Sequence, residues 1–277
     1  MRYSLRLFFW IPIALAAAKL HAGTTVTLDP NGLIEVDKTK MFVISVAVPP
    51  PFDGKTPEGK DAFAELHDGG CNFLRVTMRK REDEEPKGPR WTPEGLDEIQ
   101  KNLDALAKNQ MYGWIYLYEL GDIPMGSGPR EATLRKVIER FKDHPATGAW
   151  KGADEPAWSF SNDKNHKRAT PENILHVYKL IHEADKDHPV LILHAPKGDW
   201  QSLVPYMAGT DITGMDIFPI GYPDGRHGDL PNRDISVVGD YTQWIRRAAG
   251  KKPVWMTLQV AWSGVSKANT LRFPTFP

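Results

Sequence analysis

The chain has 277 residues, 41% of them hydrophobic, and its 35 basic and 35 acidic side chains balance to a formal net charge of +0. That size and apolar content support one large core or two modest ones, and exclude a disordered or fibrous class. The charge balance gives no electrostatic reason to expect nucleic acid or an anionic membrane as a partner.

At the N-terminus, Arg2 and Arg6 precede an apolar run over residues 7–18, and a short polar stretch ends at Ala22. This is the order of a secretory signal. The apolar run is short for a bilayer span, so cleavage near Ala22, no membrane attachment afterwards and a periplasmic or extracellular site of action are expected. Cys71 is the single cysteine, which leaves no intramolecular disulfide and no lipidated cysteine behind the signal. Residues 23–40 alternate polar and apolar side chains around Asp29-Pro30-Asn31-Gly32, and predict a small hairpin leading into the main domain.

From residue 41 to 277 one pattern repeats: an apolar run rich in β-branched or aromatic residues, a polar loop, then an amphipathic stretch. Predicted strands cover 41–48, 72–78, 113–118, 147–152, 190–194, 212–218 and 254–259. Helices fall between them. Residues 93–108 place Leu96, Ile99, Leu103 and Leu106 at helical spacing, and residues 171–184 do the same with Ile174, Val177, Tyr178 and Ile181. Thr92-Pro93 and Thr170-Pro171 each set a capping hydroxyl before a first-turn proline. The mixed-charge run 79–85 reads as a solvated loop.

Single alternation of strand and helix implies a parallel α/β sheet, either doubly wound and open or closed as a (β/α)8 TIM barrel. The barrel is favoured because Arg75, Glu119, Asp154, Glu155, His194, Asp216 and Gln259 all fall at or just past strand ends, where barrel enzymes build their sites. Seven strands are counted before a Pro-rich end, so a barrel truncated before its eighth unit is expected.

The chemistry concentrates in Trp150-Lys151-Gly152-Ala153-Asp154-Glu155-Pro156-Ala157-Trp158, a strand running into two adjacent carboxylates flanked by indoles. An acid that protonates a glycosidic oxygen wants partial burial to raise its pKa, a rigid strand end, and flat aromatic faces for pyranose rings. Pro156 biases Glu155 toward an extended backbone. Ordinary turn and capping chemistry is the competing account of Asp-Glu-Pro. Arg75 ends an apolar strand, where a guanidinium needs an answering carboxylate such as Glu155, whether for the site or as a structural ion pair. His194 either holds a sugar hydroxyl or packs as a hydrogen-bonded histidine. Asp216 is an acid inside an apolar strand and needs a partner. Glu119 and Asp122 offer further carboxylates, Asp122 equally as a turn residue. Trp150, Trp158, Trp255 and Trp262 stand near predicted strand ends, as sugar stacking would require, whereas Trp114 and Trp244 read as packing. No cofactor is called for. Metal-hydrolase histidine pairs, a phosphate loop and a Gly-x-Ser-x-Gly elbow are all missing from the sequence. Asp224, Asp229 and Asp234 share one polar stretch, read as a solvated loop with calcium as the other option.

These residues resemble the clan of retaining glycoside hydrolases built on TIM barrels, with β-galactosidase-like and cellulase-like members. Asn72-Phe73-Leu74-Arg75 is similar to the clan's second-strand Asn-x-x-Arg, and Asp154-Glu155-Pro156 to its fourth-strand Asn-Glu-Pro. The resemblance implies Glu155 as acid/base and Arg75 as support for the nucleophile. The segment 32–36 also looks like a lead-in of such barrels. The chain departs from the clan at strand seven, where the nucleophilic Glu is replaced by Gln259, an amide unable to form a glycosyl ester. The resemblance therefore lies with divergent glycosidase-like barrels carrying Asp-Glu-Pro and this Gln. The resulting expectation is a secreted hydrolase of an oligo- or polysaccharide, with Glu155 as general acid. Asp216 is the first choice of second carboxylate, ahead of Asp154 and Glu119, and Arg75, Glu119, Trp150, Trp158, His194, Gln259 and Trp262 contact the sugar. The rival is a carbohydrate-binding barrel that has lost catalysis.

Overall fold

The computed structural model describes residues 23–78, 90–158, 167–220 and 228–260. It opens with three short antiparallel strands, β1 (Val26–Leu28), β2 (Ile34–Val36) and β3 (Thr39–Met41). The predicted hairpin is thus a three-stranded sheet. Its extra strand is created by Asp37 and Lys38, both at positive φ (48° and 68°), the two-residue turn geometry that matches strand twist.

Seven parallel strands follow: β4 (Ser45–Val46), β5 (Phe73–Val76), β6 (Tyr112–Tyr116), β7 (Thr147–Asp154), β8 (Val190–His194), β9 (Ile212–Ile217) and β10 (Val254–Leu258). They neighbour one another in strict sequence order from β4 to β10, all in parallel register. A doubly wound sheet reverses its order at a switch point; this one never does, which is barrel winding. Among the described residues the frame has seven strands, with β4 and β10 as its edges.

The crossovers are α1 (Ala62–Asp68), α2 (Pro93–Lys108), α3 (Gly128–Phe141), α4 (Pro171–Ala184) and α5 (Val237–Ala249), while the β8–β9 crossover is the 3-10 segment Trp200–Gly209. Pro205 inside that segment has no N–H to donate and disfavours an α-helix there. Thr92 and Thr170 cap α2 and α4 by accepting from Gly95 and Asn173 backbone N–H groups, as their sequences predict. The first barrel strand is shorter than the predicted 41–48. Met41 belongs to β3, pairing with β5 covers only Ser45 and Val46, and Pro49, Pro50 and Pro51 bar the strand from running on, because prolines cannot donate to a ladder.

Side chains sort by strand alternation into two outer clusters under the crossovers and one inner cluster. Leu74, Val76, Ile115 and Trp150 face α2, α3 and α4; Ile192, Met215 and Ile217 face the 3-10 segment and α5. Inside lie Phe73, Trp114, Ala149, Leu191, Leu193 and Ile212, joined by Val26, Ile34 and Val36 of the N-terminal sheet. That sheet sits across the end where strands begin: Val26 N–H donates to the Asp187 carbonyl at 2.7 Å, and Thr24 Oγ1 to the Pro145 carbonyl at 2.6 Å. The opposite end is left for a site.

Candidate functional site

Alternation aims Arg75 (β5), Tyr116 (β6), Lys151 (β7), Asp216 (β9) and Thr257 (β10) into the barrel at the end where the strands finish. Lys151 is 1% exposed, and its Nζ donates to Asp154 Oδ1 at 2.5 Å while standing 4.8 Å from the Tyr116 ring centroid. A buried ammonium needs such an answer.

Asp154 closes β7, and the next residue turns sharply. Glu155 has φ +49°, a left-handed backbone rare outside glycine and asparagine. The extended conformation expected from Pro156 is therefore not adopted. The Glu155 N–H donates to the Leu193 carbonyl at 3.0 Å, its carbonyl accepts from Trp158 N–H at 3.1 Å, and these bonds fold the chain back on itself. Such a strained position marks a hypothesis of function. The Glu155 side chain is 16% exposed and pairs with Arg168, whose Nη1 donates to Oε2 at 2.8 Å. The same guanidinium lies 4.7 Å from the Trp158 ring centroid.

Burial pushes the Glu155 carboxyl above the ordinary range; Arg168 and Lys151 pull it back, while Asp154 and Asp216 add to the rise. Asp216 is raised too, first by burial and further by Asp154, against a hydrogen bond from Thr257 and the charges of Lys151 and Arg75. Burial and Asp154 likewise raise the Tyr116 phenol. Glu155, Asp154 and Asp216 are thus electrostatic neighbours in one interior, lined by three cations. Burial raises both the Glu155 and the Asp216 carboxyl, which favours a proton on each and suits either to the part of a general acid.

The structure brings together five of the expected residues, Arg75, Asp154, Glu155, Trp158 and Asp216, and places others elsewhere. Trp150 is fully buried on the helix-facing side, its Nε1 donating to Asp185 Oδ2 at 2.7 Å. β7 runs to residue 154, two beyond its predicted end, which leaves Trp150 in mid-strand. His194 is also fully buried, on the outer face beside Tyr206, with ring centroids 5.9 Å apart. Glu119 sits in the 3-10 segment Tyr118–Gly121, half-exposed, with Arg90 at 3.5 Å and its carbonyl accepting from Arg130. Trp255 lies at the start of β10, edge-on to Phe73 at the closed end. Gln259 commits its amide to the backbone of Ile220: Oε1 accepts at 2.8 Å and Nε2 donates at 2.7 Å. Trp262 and Asp224 lie outside the described residues. The answering carboxylate expected for Arg75 is not found: no ion pair of the described residues includes it, and its Nε is buried without a partner. Sequence reading passed over Lys151, Tyr116, Thr257 and Arg168. An isolated lysine between apolar strand residues was a usable signal for Lys151; Arg168 comes from a loop whose path no periodicity encodes.

No protein-family model matches the chain, and no curated protein matches it. Solved structures do. A glycoside hydrolase family 5 mannosidase from Rhizomucor miehei superposes with a TM-score of 0.59 at 14% identity, over 85% of this chain and 72% of that one. A GH2 β-galacturonidase from Eisenbergiella tayi gives 0.51 at 16% identity, over 86% of this chain and 38% of that one. A β-glucuronidase from Bacteroides uniformis gives 0.51 at 15% identity, over 83% of this chain, which spans only 26% of that protein. At these identities the likeness is one of fold: the chain has the architecture of TIM-barrel glycoside hydrolases.

Proposed function

We propose that this protein is a glycoside hydrolase acting on an oligo- or polysaccharide, with Glu155 as general acid/base and Asp216 as the second carboxylate. The observation that carries the reading is Glu155 itself. It follows the fourth barrel strand in a left-handed turn beside an indole, mostly buried, its carboxyl raised by desolvation and sharing the interior with a second raised carboxyl. The barrel glycosidases it resembles in fold act on glycosides, which supports the substrate class. The residue order of 1–22 supports export to the periplasm or medium.

Glu155→Gln keeps the shape and removes the titratable proton. Turnover of a cleaved glycan, followed as new reducing ends, is expected to fall by about 10²–10⁴-fold. Unchanged hydrolysis by the variant would remove Glu155 from the chemistry.

The second reading, a carbohydrate-binding barrel without turnover, is favoured by one observation. Gln259 stands at the end of β10 with its amide tied to Ile220, so it offers no nucleophile. Saturable glycan binding by the unaltered chain with no reducing ends across a polysaccharide panel would decide for that reading.

A further inference from the structure

Two of the three cations in the barrel interior are already answered, Lys151 by Asp154 and Arg168 by Glu155. Arg75 is not. Its Nε is buried without a hydrogen-bond partner, and its guanidinium rests against two rings, 5.9 Å from the Trp114 centroid and 6.0 Å from that of Tyr116. Trp114 is itself fixed, its Nε1 donating to Ser45 Oγ at 3.0 Å. A guanidinium drawn partly out of water beside two rings, with no carboxylate among the described residues to pair it, offers a fork of donors suited to a planar acceptor.

Asp216 carries the matching defect. Its Oδ1 is buried with no hydrogen-bond partner, and although it feels the charge of Arg75, no hydrogen bond joins the two. One interior therefore presents a guanidinium with no carboxylate partner among the described residues and a carboxylate that accepts from Thr257 yet keeps Oδ1 unpaired, a combination that neutral sugars meet only with hydroxyls.

We propose that the site takes an acidic sugar: the carboxylate of a uronic acid residue is received by the Arg75 guanidinium, and a hydroxyl of the same residue donates to Asp216. This rests on the reading of the barrel mouth as a glycoside site and names the class of glycan it holds. A charge-assisted, two-point contact of this kind separates an acid from its neutral parent by about tenfold or more.

The test is ligand-observed NMR titration of the full chain, at low salt, with D-glucuronate, D-galacturonate and D-mannuronate against glucose, galactose and mannose. At least one acid is expected to bind about tenfold more tightly than its neutral parent, and Arg75→Gln to abolish that margin. Arg75→Lys, which keeps the charge and loses the fork, is expected to retain only part of it, and carries the test if Arg75→Gln does not fold. Equal binding of every acid and its parent overturns the proposal, as does a preference that survives in both variants. Galactose 6-sulfate binding as tightly as the best acid overturns the carboxylate assignment. An acid preference without glycan cleavage leaves this proposal standing and removes the hydrolase reading; cleavage of neutral glycans with no acid preference does the reverse.

Discussion

His194 is a base that the fold keeps neutral. Complete burial against Tyr206, with the Lys151 charge behind the strand, lowers its pKa from 6.5 to about 3. Neither ring nitrogen has a partner to offset the desolvation. Because the folded chain binds this proton less readily than the unfolded one, His194 favours unfolding as pH falls. Its contribution to stability is intact above about pH 6.5 and is lost progressively toward about pH 3. His194→Leu fills similar space without a titrating group. Urea midpoints at about pH 7 and about pH 4.5 are expected to show the variant gaining on the parent at the lower pH; parallel loss in both proteins would remove His194 from the acid response. The same alternation that hides His194 explains why it read as a mouth residue. A strand-end position tells where along the barrel a side chain lies, and only parity tells which face it takes.

At the scale of elements, β7 does two jobs from one strand. Its inward residue Lys151 serves the site, and its outward neighbour Trp150 locks the strand to the C-terminal end of α4. The lock is Asp185, the residue capping that helix. Its Oδ2 accepts from Trp150 Nε1 at 2.7 Å and pairs with His188 Nδ1 at 2.8 Å, and its Oδ1 accepts from the Asp187 N–H at 2.9 Å. Burial works to raise this carboxyl, and the bonds from His188 and Trp150 overcome it and hold the group ionised. Removing one member of a buried, bonded group strands the rest. Asp185→Ala is expected to lower unfolding free energy by about 3–5 kcal/mol, read from urea midpoints at constant slope. Asp185→Asn, which keeps an acceptor for the indole, should lose less. A change below about 1 kcal/mol for the alanine variant would mean that burial of Trp150 alone holds the strand. Elements with explicit boundary chemistry were readable from sequence: residues 93–108 and 171–184 match α2 and α4 because a Thr-Pro start and an apolar stripe mark them. Strand ends were less so. β7 overran its predicted end by two residues, since Ala153 and Asp154 carry no stop signal, and that shift misplaced Trp150.

For the whole molecule, sequence alternation was enough to give a parallel α/β frame, and the preference for a barrel came from polar residues gathering after strands. Where that site chemistry converges was only half readable. Arg75, Asp154, Glu155 and Asp216 announce themselves as charges in apolar surroundings, while Arg168 and Thr257 join through folding alone. The N-terminal segment shows the same limit. Its turn signals predict strands, and nothing local predicts that Val26, Ile34 and Val36 complete the barrel's inner core, at 2%, 3% and 4% exposure. A segment packed this way should not melt separately. Val36→Asp places a carboxylate in the buried apolar cluster that includes Trp114 and Phe73, a change whose desolvation and lost packing belong to the severe class of core substitutions. We expect it to lower the melting temperature of the entire chain in one transition, with Trp114 and Trp255 fluorescence reporting the barrel interior and far-UV circular dichroism the backbone, both shifting together. An unchanged main transition with an early, small loss of β signal would instead make the N-terminal sheet an appendage. In that case the closed end of the barrel would depend on Phe73, Tyr112 and Trp255 packing among themselves.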